Sequence, residues 1–231
     1  MKPFHLMERA FAGFADGAPD ASPQSRAQDL VNKALDIPNP AKRLSLAKQA
    51  LAIFPDCADA LLLLADEQAQ STEEALDLYA QAVEAGARAL GEAYFQENAG
   101  AFWGLHESRG YMRARRTLAQ TLWDFGERRA AIAHAQELLR LNPADNQAVR
   151  VELMTWLLLA GRLEDANLLW KAYPDEGLSH WHWSRALMLF IEFGDGEVAN
   201  AALDLAIEAN RSIGPMLLER VPTPEPSGHI G

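Results

Sequence analysis

Apolar residues recur along this chain every three or four positions, the period of a helix with one buried face. Trp183, Leu187 and Phe190 form one such series, and Ala199, Leu203, Ala206 and Asn210 continue in another. The stretches end at residues that stop helices. Phe54-Pro55-Asp56 and Asn142-Pro143-Ala144-Asp145 close two of them, as proline does just past a helix. Pro38-Asn39-Pro40 makes a turn in which Pro40 can open the next helix. Gly126, Gly161 and Gly194 supply further turns, because glycine adopts backbone conformations that other residues resist. The pattern predicts helix–turn–helix units over about 24–57, 58–84, 112–145, 147–176 and 180–211. Residues 85–111 break the period and are expected to form one or two helices against the stack.

The units share one register. Counting back 34 residues from Asp145 makes Met112 position 1. Leu118, Ala119, Leu122 and Gly126 are then positions 7, 8, 11 and 15, and Ala131, Leu138 and Pro143 are 20, 27 and 32. The same frame sets Ala47 and Ala50 at 24 and 27 of the first unit, and Leu64 and Ala65 at 7 and 8 of the second. It sets Leu153, Leu157 and Ala166 at 7, 11 and 20 of the fourth, and Leu187, Phe190 and Ala199 at 8, 11 and 20 of the last. Small residues at 8 and 20 let two helices approach closely. This arrangement resembles the tetratricopeptide repeat (TPR), and the resemblance implies an all-α solenoid of stacked helical pairs.

One tract resembles a narrower family. Ala101-Phe102-Trp103-Gly104-Leu105-His106-Glu107-Ser108-Arg109-Gly110-Tyr111-Met112-Arg113-Ala114-Arg115 continues through Leu118, Trp123 and Gly126 to Asn142-Pro143-Ala144-Asp145-Asn146-Gln147. It looks like a bacterial cytosolic TPR family of the suppressor-of-tumorigenicity-7 type over about residues 86–218. That resemblance implies a helical scaffold with no catalytic residues to carry over. Gly110 stands where members of that family usually have proline, and only Asn210-Arg211-Ser212-Ile213-Gly214-Pro215 represents their C-terminal segment.

Composition agrees with a helical fold. The 231 residues include 41 Ala and 33 Leu but 6 Val, 7 Ile and 5 Thr, so strand formers are scarce. The organisation expected is an N-terminal segment and linker over 1–23, a repeat domain over 24–220 with its irregular insertion at 85–111, and a disordered proline-rich tail over 221–231. Phe4, Leu6, Phe11 and Phe14 are expected to cap an apolar repeat end; such ends otherwise leave room for self-association. The apolar runs Leu61–Ala65 and Trp156–Ala160 are far shorter than the ~18 residues a membrane span needs. Charges near the N-terminus argue against a signal peptide. The lone Cys57 fits a reducing cytoplasm.

Charge alters the functional picture. The formal net charge of −11 argues against a nucleic-acid binder. Residues 112–162 nevertheless carry a net +3, all of their cations arginine, inside a remainder of −14. In a TPR stack the first helix of each unit lines the concave groove through positions 2, 5, 6, 9, 12 and 13. Those positions nominate Arg113, Arg116, Gln120, Trp123, Glu152, Thr155, Trp181 and Arg185 as peptide-binding residues. Arginine forks suit carboxylates, so the expected partner is a protein or peptide carrying acidic groups. The competing reading pairs these arginines with Asp and Glu of neighbouring helices. No phosphate loop, nucleophile elbow or His-Glu-x-x-His occurs, His180 and His182 diverge on a helix, and no catalytic residue, metal or cofactor is expected. An alternative function is an enzyme or small-ligand sensor that uses 85–111, with Tyr94, Glu97, Trp103, His106, Glu107 and Arg109, as a pocket wall.

Overall fold

The computed structural model describes residues 22–218. The apolar N-terminal cap and the tail at 221–231 lie outside the described residues. Twelve α-helices follow one another among those described: α1 Pro23–Leu35, α2 Pro40–Ile53, α3 Ala58–Gln68, α4 Thr72–Leu90, α5 Glu92–Asn98, α6 His106–Phe125, α7 Arg128–Leu141, α8 Val149–Leu159, α9 Leu163–Ala172, α10 Ser179–Phe193, α11 Glu197–Ala209 and α12 Ile213–Leu217. A 3₁₀ turn at Phe102–Gly104 precedes α6. No strand occurs among the described residues.

Local chemistry sets the ends of these helices. Ser22 accepts a hydrogen bond from the Ser25 amide at 3.1 Å, and Asn39 accepts one from Lys42 at 3.1 Å, each just ahead of a proline in the first turn. Gly126, Gly161 and Gly194 follow α6, α8 and α10 with φ of 99°, 68° and 72°, so the turn glycines of the repeat frame hold the left-handed region it requires. α8 starts differently. Ala148 has φ 56°, and the Asp145 carboxylate accepts from the Val149 and Arg150 amides at 2.7 and 2.9 Å.

The pairs α1–α2, α3–α4, α6–α7, α8–α9 and α10–α11 each form a helical hairpin, and each hairpin packs on the next. The architecture is the TPR solenoid that the frame implied. Its inner helices are α1, α3, α6, α8 and α10. Ala131 and Ala166, both at position 20, are 0% exposed, as close helix nesting requires. The largest apolar cluster spans α6 to α10 and contains Met112, Ile132, Leu138, Leu153, Met154 and Leu157. Each such side chain contributes roughly 1.5–3 kcal/mol by leaving water. Smaller clusters join α1, α2 and α3 around Ala27, Val31 and Ala50.

The aperiodic segment turns out to be shared among elements. Residues 85–90 extend α4, and residues 106–111 are the first turns of α6. A Cβ on Gly86 would lie 3.0 Å from Tyr111 Cβ and 3.1 Å from its Cα, so glycine is what lets α4 and α6 touch backbone to backbone. Between them Phe95 packs on Phe102 and Tyr111 at ring separations of 5.0 and 5.1 Å, and Tyr94 meets Phe102 at 5.5 Å. Ser108 donates to the Phe102 and Leu105 carbonyls, and Arg109 donates to the Trp103 carbonyl at 3.0 Å. The Phe-Trp-Gly tract is thus a packed plug tied to α6.

Candidate functional site

Arg113, Arg116, Gln120 and Trp123 follow one another at three- or four-residue steps on α6 and form one stripe on its inner side. Glu152 and Thr155 lie on α8, and Trp181 and Arg185 on α10. The structure connects most of these residues to neighbouring helices. Arg113 Nε donates to Asp59 Oδ1 on α3 at 2.8 Å, and a second nitrogen of the fork reaches Oδ2. Asp59 is buried, so this pair sits at the groove floor. Arg116 Nη2 and Gln120 Nε2 both donate to Glu152 Oε1, at 3.0 and 2.7 Å, and tie α6 to α8. Trp123 stacks on Trp156 with ring centroids 5.0 Å apart and planes 8° from parallel. Arg128 lies over the Trp123 ring at 5.3 Å. Thr155 Oγ1 is 2.9 Å from His180 Nε2, which links α8 to α10 at an exposed position. Burial holds the His180 imidazole below its ordinary pKa, so the ring is biased toward the neutral form.

Two of the nominated residues serve other purposes. Arg185 Nη1 donates to Asn167 Oδ1 at 2.7 Å, and its guanidinium lies 4.5 Å from the Trp170 ring on α9. Trp181 is 2% exposed and meets Tyr173 edge-on at 6.3 Å. It belongs to the core and does not line the groove. Trp181 goes inward with Ser184 and Met188 on the same side of α10, 5% and 0% exposed.

Arginine pairing decides what the surface can bind. The forks of Arg113 and Arg116 already hold carboxylates, as the competing reading of the sequence anticipated. An anionic ligand would have to displace Asp59 or Glu152. Leaving a buried carboxylate such as Asp59 without its partner costs on the order of 3–5 kcal/mol. Arg150, whose position 4 in the frame places it between units and outside the groove, holds Asp145 at 2.8 Å and Glu176 at 2.6 Å, two partners the spacing alone did not identify. Its signal was in the family-like tract: the aspartate after Asn-Pro-Ala caps α8 and meets the arginine at the second residue of that helix.

Burial, with Asp59 adding its charge, raises the Cys57 thiol to about 11, so the thiolate is scarce at neutral pH. Among the described residues no group of three or more His, Cys, Asp or Glu is placed to hold a metal ion. No helix among the described residues is long and apolar enough to cross a membrane.

The sequence model of the family described as ST7 protein matches residues 18–153, more than half of the chain. That match starts well before the tract at 86–218 that carried the resemblance, and ends inside α8. Among solved structures, the chain is similar to YrrB, described as a TPR protein with an unusual peptide-binding site. The TM-score is 0.58 at 18% identity, covering 86% of this chain and 91% of YrrB. It is also similar to the MamA protein, with a TM-score of 0.51 at 16% identity, covering 87% of this chain and 98% of that one. At these identities the likeness is one of fold. No curated protein sequence matches the chain.

Proposed function

The chain belongs to the ST7 protein family, and from that premise we propose that it is a non-catalytic scaffold holding an extended segment of a partner protein on its inner helices. The observation that carries this reading is the partly exposed strip along α6, α8 and α10, where Trp123, Glu152, Thr155 and Gln120 stand between exposed apolar side chains such as Leu159 and Ile191. In this reading Arg113, Arg116 and Arg185 hold the inner surface in shape, and Trp181 supports it from below. Residues 24–220 act as one repeat domain. YrrB, a structure of the same fold, is described with a peptide-binding site, which supports a comparable use of the surface here. The absence of a long apolar helix among the described residues and the lone Cys57 support work in the cytoplasm. The pocket-wall alternative finds less support, because Phe95, Phe102 and Tyr111 pack the 85–111 segment solid.

A photo-crosslinking residue at Thr155, compared with one at the exposed Gln136 on the outer helix α7, tests the reading in extract from the source cell. A discrete crosslinked protein from position 155 and none from position 136 is expected. Equal labelling at both positions, or none at either, removes the groove assignment.

A further inference from the structure

The outer side of α2 is unlike that of a solvated helix. A surface helix carries polar residues opposite its buried side. On α7 the exposed residues include Arg129, Gln136 and Arg140. On α2, Ala41, Leu44, Ser45, Lys48, Gln49 and Ala52 together line one groove of about 450 Å³. Its base is small, with the partly buried Leu44 beside it, and Lys48 contributes a methylene stem. Gln49 donates to the Ser45 hydroxyl at 3.3 Å, so two of the polar groups satisfy one another.

The first hairpin also has a thin core. The buried residues of α1 and α2 are Ala27, Val31, Ala34, Ala47 and Ala50. Alanine takes far less apolar surface out of water than the Met112, Ile132 and Leu138 that α6 and α7 bury. Large side chains laid into the outer groove would supply the burial that the inside lacks.

The chain has such side chains within reach. Residues 1–21 lie outside the described residues and lead directly into Ser22, the cap of α1. Ala27 shares a buried cluster with Ala50 and Phe54, and Ala34 shares one with Ala47, so α1 and α2 run antiparallel. Ser22 therefore stands beside the end of α2 where Ala52 lies. Residues 15–21 can extend about 24 Å. The groove from Ala41 to Ala52 is about 16 Å long, so all of it is accessible to the segment ahead of them. In that segment Phe4, Met7, Phe11 and Phe14 recur at three- and four-residue steps, the spacing of one helix face. Such a face is about 15 Å long, which matches the groove. Glu8, the one acidic residue before Phe14, falls at the edge of that face, and Lys48 lines the groove.

We propose that residues 4–14 of this chain dock on the outer side of α2. Phe4, Met7, Phe11 and Phe14 seat over Ala41, Ser45 and Ala52, and Glu8 lies beside Lys48. The segment forms the outer layer of the first hairpin, and its occupancy decides whether α2 is covered.

A photo-crosslinking residue in place of Ser45 tests this in the purified full chain. It is expected to join residues 1–21 within a single chain, read by mass spectrometry of the digest. The same residue in place of Gln136 on α7 should not reach that segment. A link between two chains, seen as a doubled mass, or no link from position 45, overturns the proposal. Ala41→Asp with Ala52→Asp charges the groove and leaves the segment intact, and should abolish the link; an undiminished link overturns the proposal too. Hydrogen exchange gives a second measurement. Phe11→Ser with Phe14→Ser should speed exchange of the α2 amides at least about tenfold and leave α8 unchanged, because the segment protects only the helix beneath it. Unchanged exchange in α2, or equal acceleration in α8, counts against docking at this groove.

Discussion

The fourth and fifth repeats carry the same pattern and meet opposite fates. At positions 8 and 11 the fourth has Met154 and Leu157, which are 0% and 1% exposed. The fifth has Leu187 and Phe190 at those positions, 47% and 54% exposed. α11 adds Val198 and Leu205, each 58% exposed, and only Ala199 and Ala206 are buried on that helix. An interior repeat is covered by neighbours on both sides, whereas a terminal one is covered on one side only. α12 is five residues long and shields only part of the open face, with Gly214 near Trp183. The last unit also departs from the frame: α10 buries Trp181, Ser184 and Met188, its positions 2, 5 and 9, and leaves positions 8 and 11 outside, so its buried face is turned from the one the frame assigns.

The comparison can be tested by substitution, and the largest effect belongs to the interior. Asp145→Ala removes the cap of α8 and leaves Arg150 with Glu176 alone. A loss of about 3 kcal/mol of unfolding free energy is expected in urea denaturation, since the Val149 and Arg150 amides lose their acceptor at a largely buried helix start. Leu157→Ala should cost about 3 kcal/mol by the same measurement, through lost burial and the cavity left behind. A cost below about 1 kcal/mol would mean the interior repeat packs loosely.

Acid should act on the interior next. Burial, aided by the Arg115 charge, lowers His134 on α7 from 6.5 to about 4. The folded chain thus favours the neutral ring, and its stability advantage is complete above the unfolded value of 6.5. It is lost as pH falls from 6.5 towards 4. Melting temperature should fall across that window, and His134→Leu should flatten the fall. The smallest effect belongs to the end repeat: Leu187→Ser should change stability by less than about 0.5 kcal/mol. A cost matching that of Leu157→Ala would show that something covers the end face in solution.

Particular residues show how much could be read without coordinates. The turn glycines at position 15 and the buried alanines at position 20 were legible because both follow from contacts within one helical hairpin. Gly126, Gly161 and Gly194 have the positive φ that the frame demands, and Ala131 and Ala166 are fully buried. The pairing of the arginines was not legible. Asp59 and Arg113 lie 54 residues apart, and Arg116 and Glu152 lie 36 apart, so each pair exists only once two units stack. Trp181 was assigned to the groove by position alone, and the orientation of α10 places it, with Ser184 and Met188, in the core.

The sequence by itself determined the helices, their turns and the repeat register up to the fourth unit, because helix period, glycine turns and small-residue spacing act over a few residues. Tertiary structure alone decided which arginines are neutralised. Eight arginines clustered in the chain made the centre look basic, but folding brought Asp59 onto Arg113, Glu152 onto Arg116 and Glu176 onto Arg150 from elsewhere in the chain. The forks of Arg113 and Arg116 are thereby neutralised, since charge neutralisation depends on which groups meet in space and sequence proximity does not fix that.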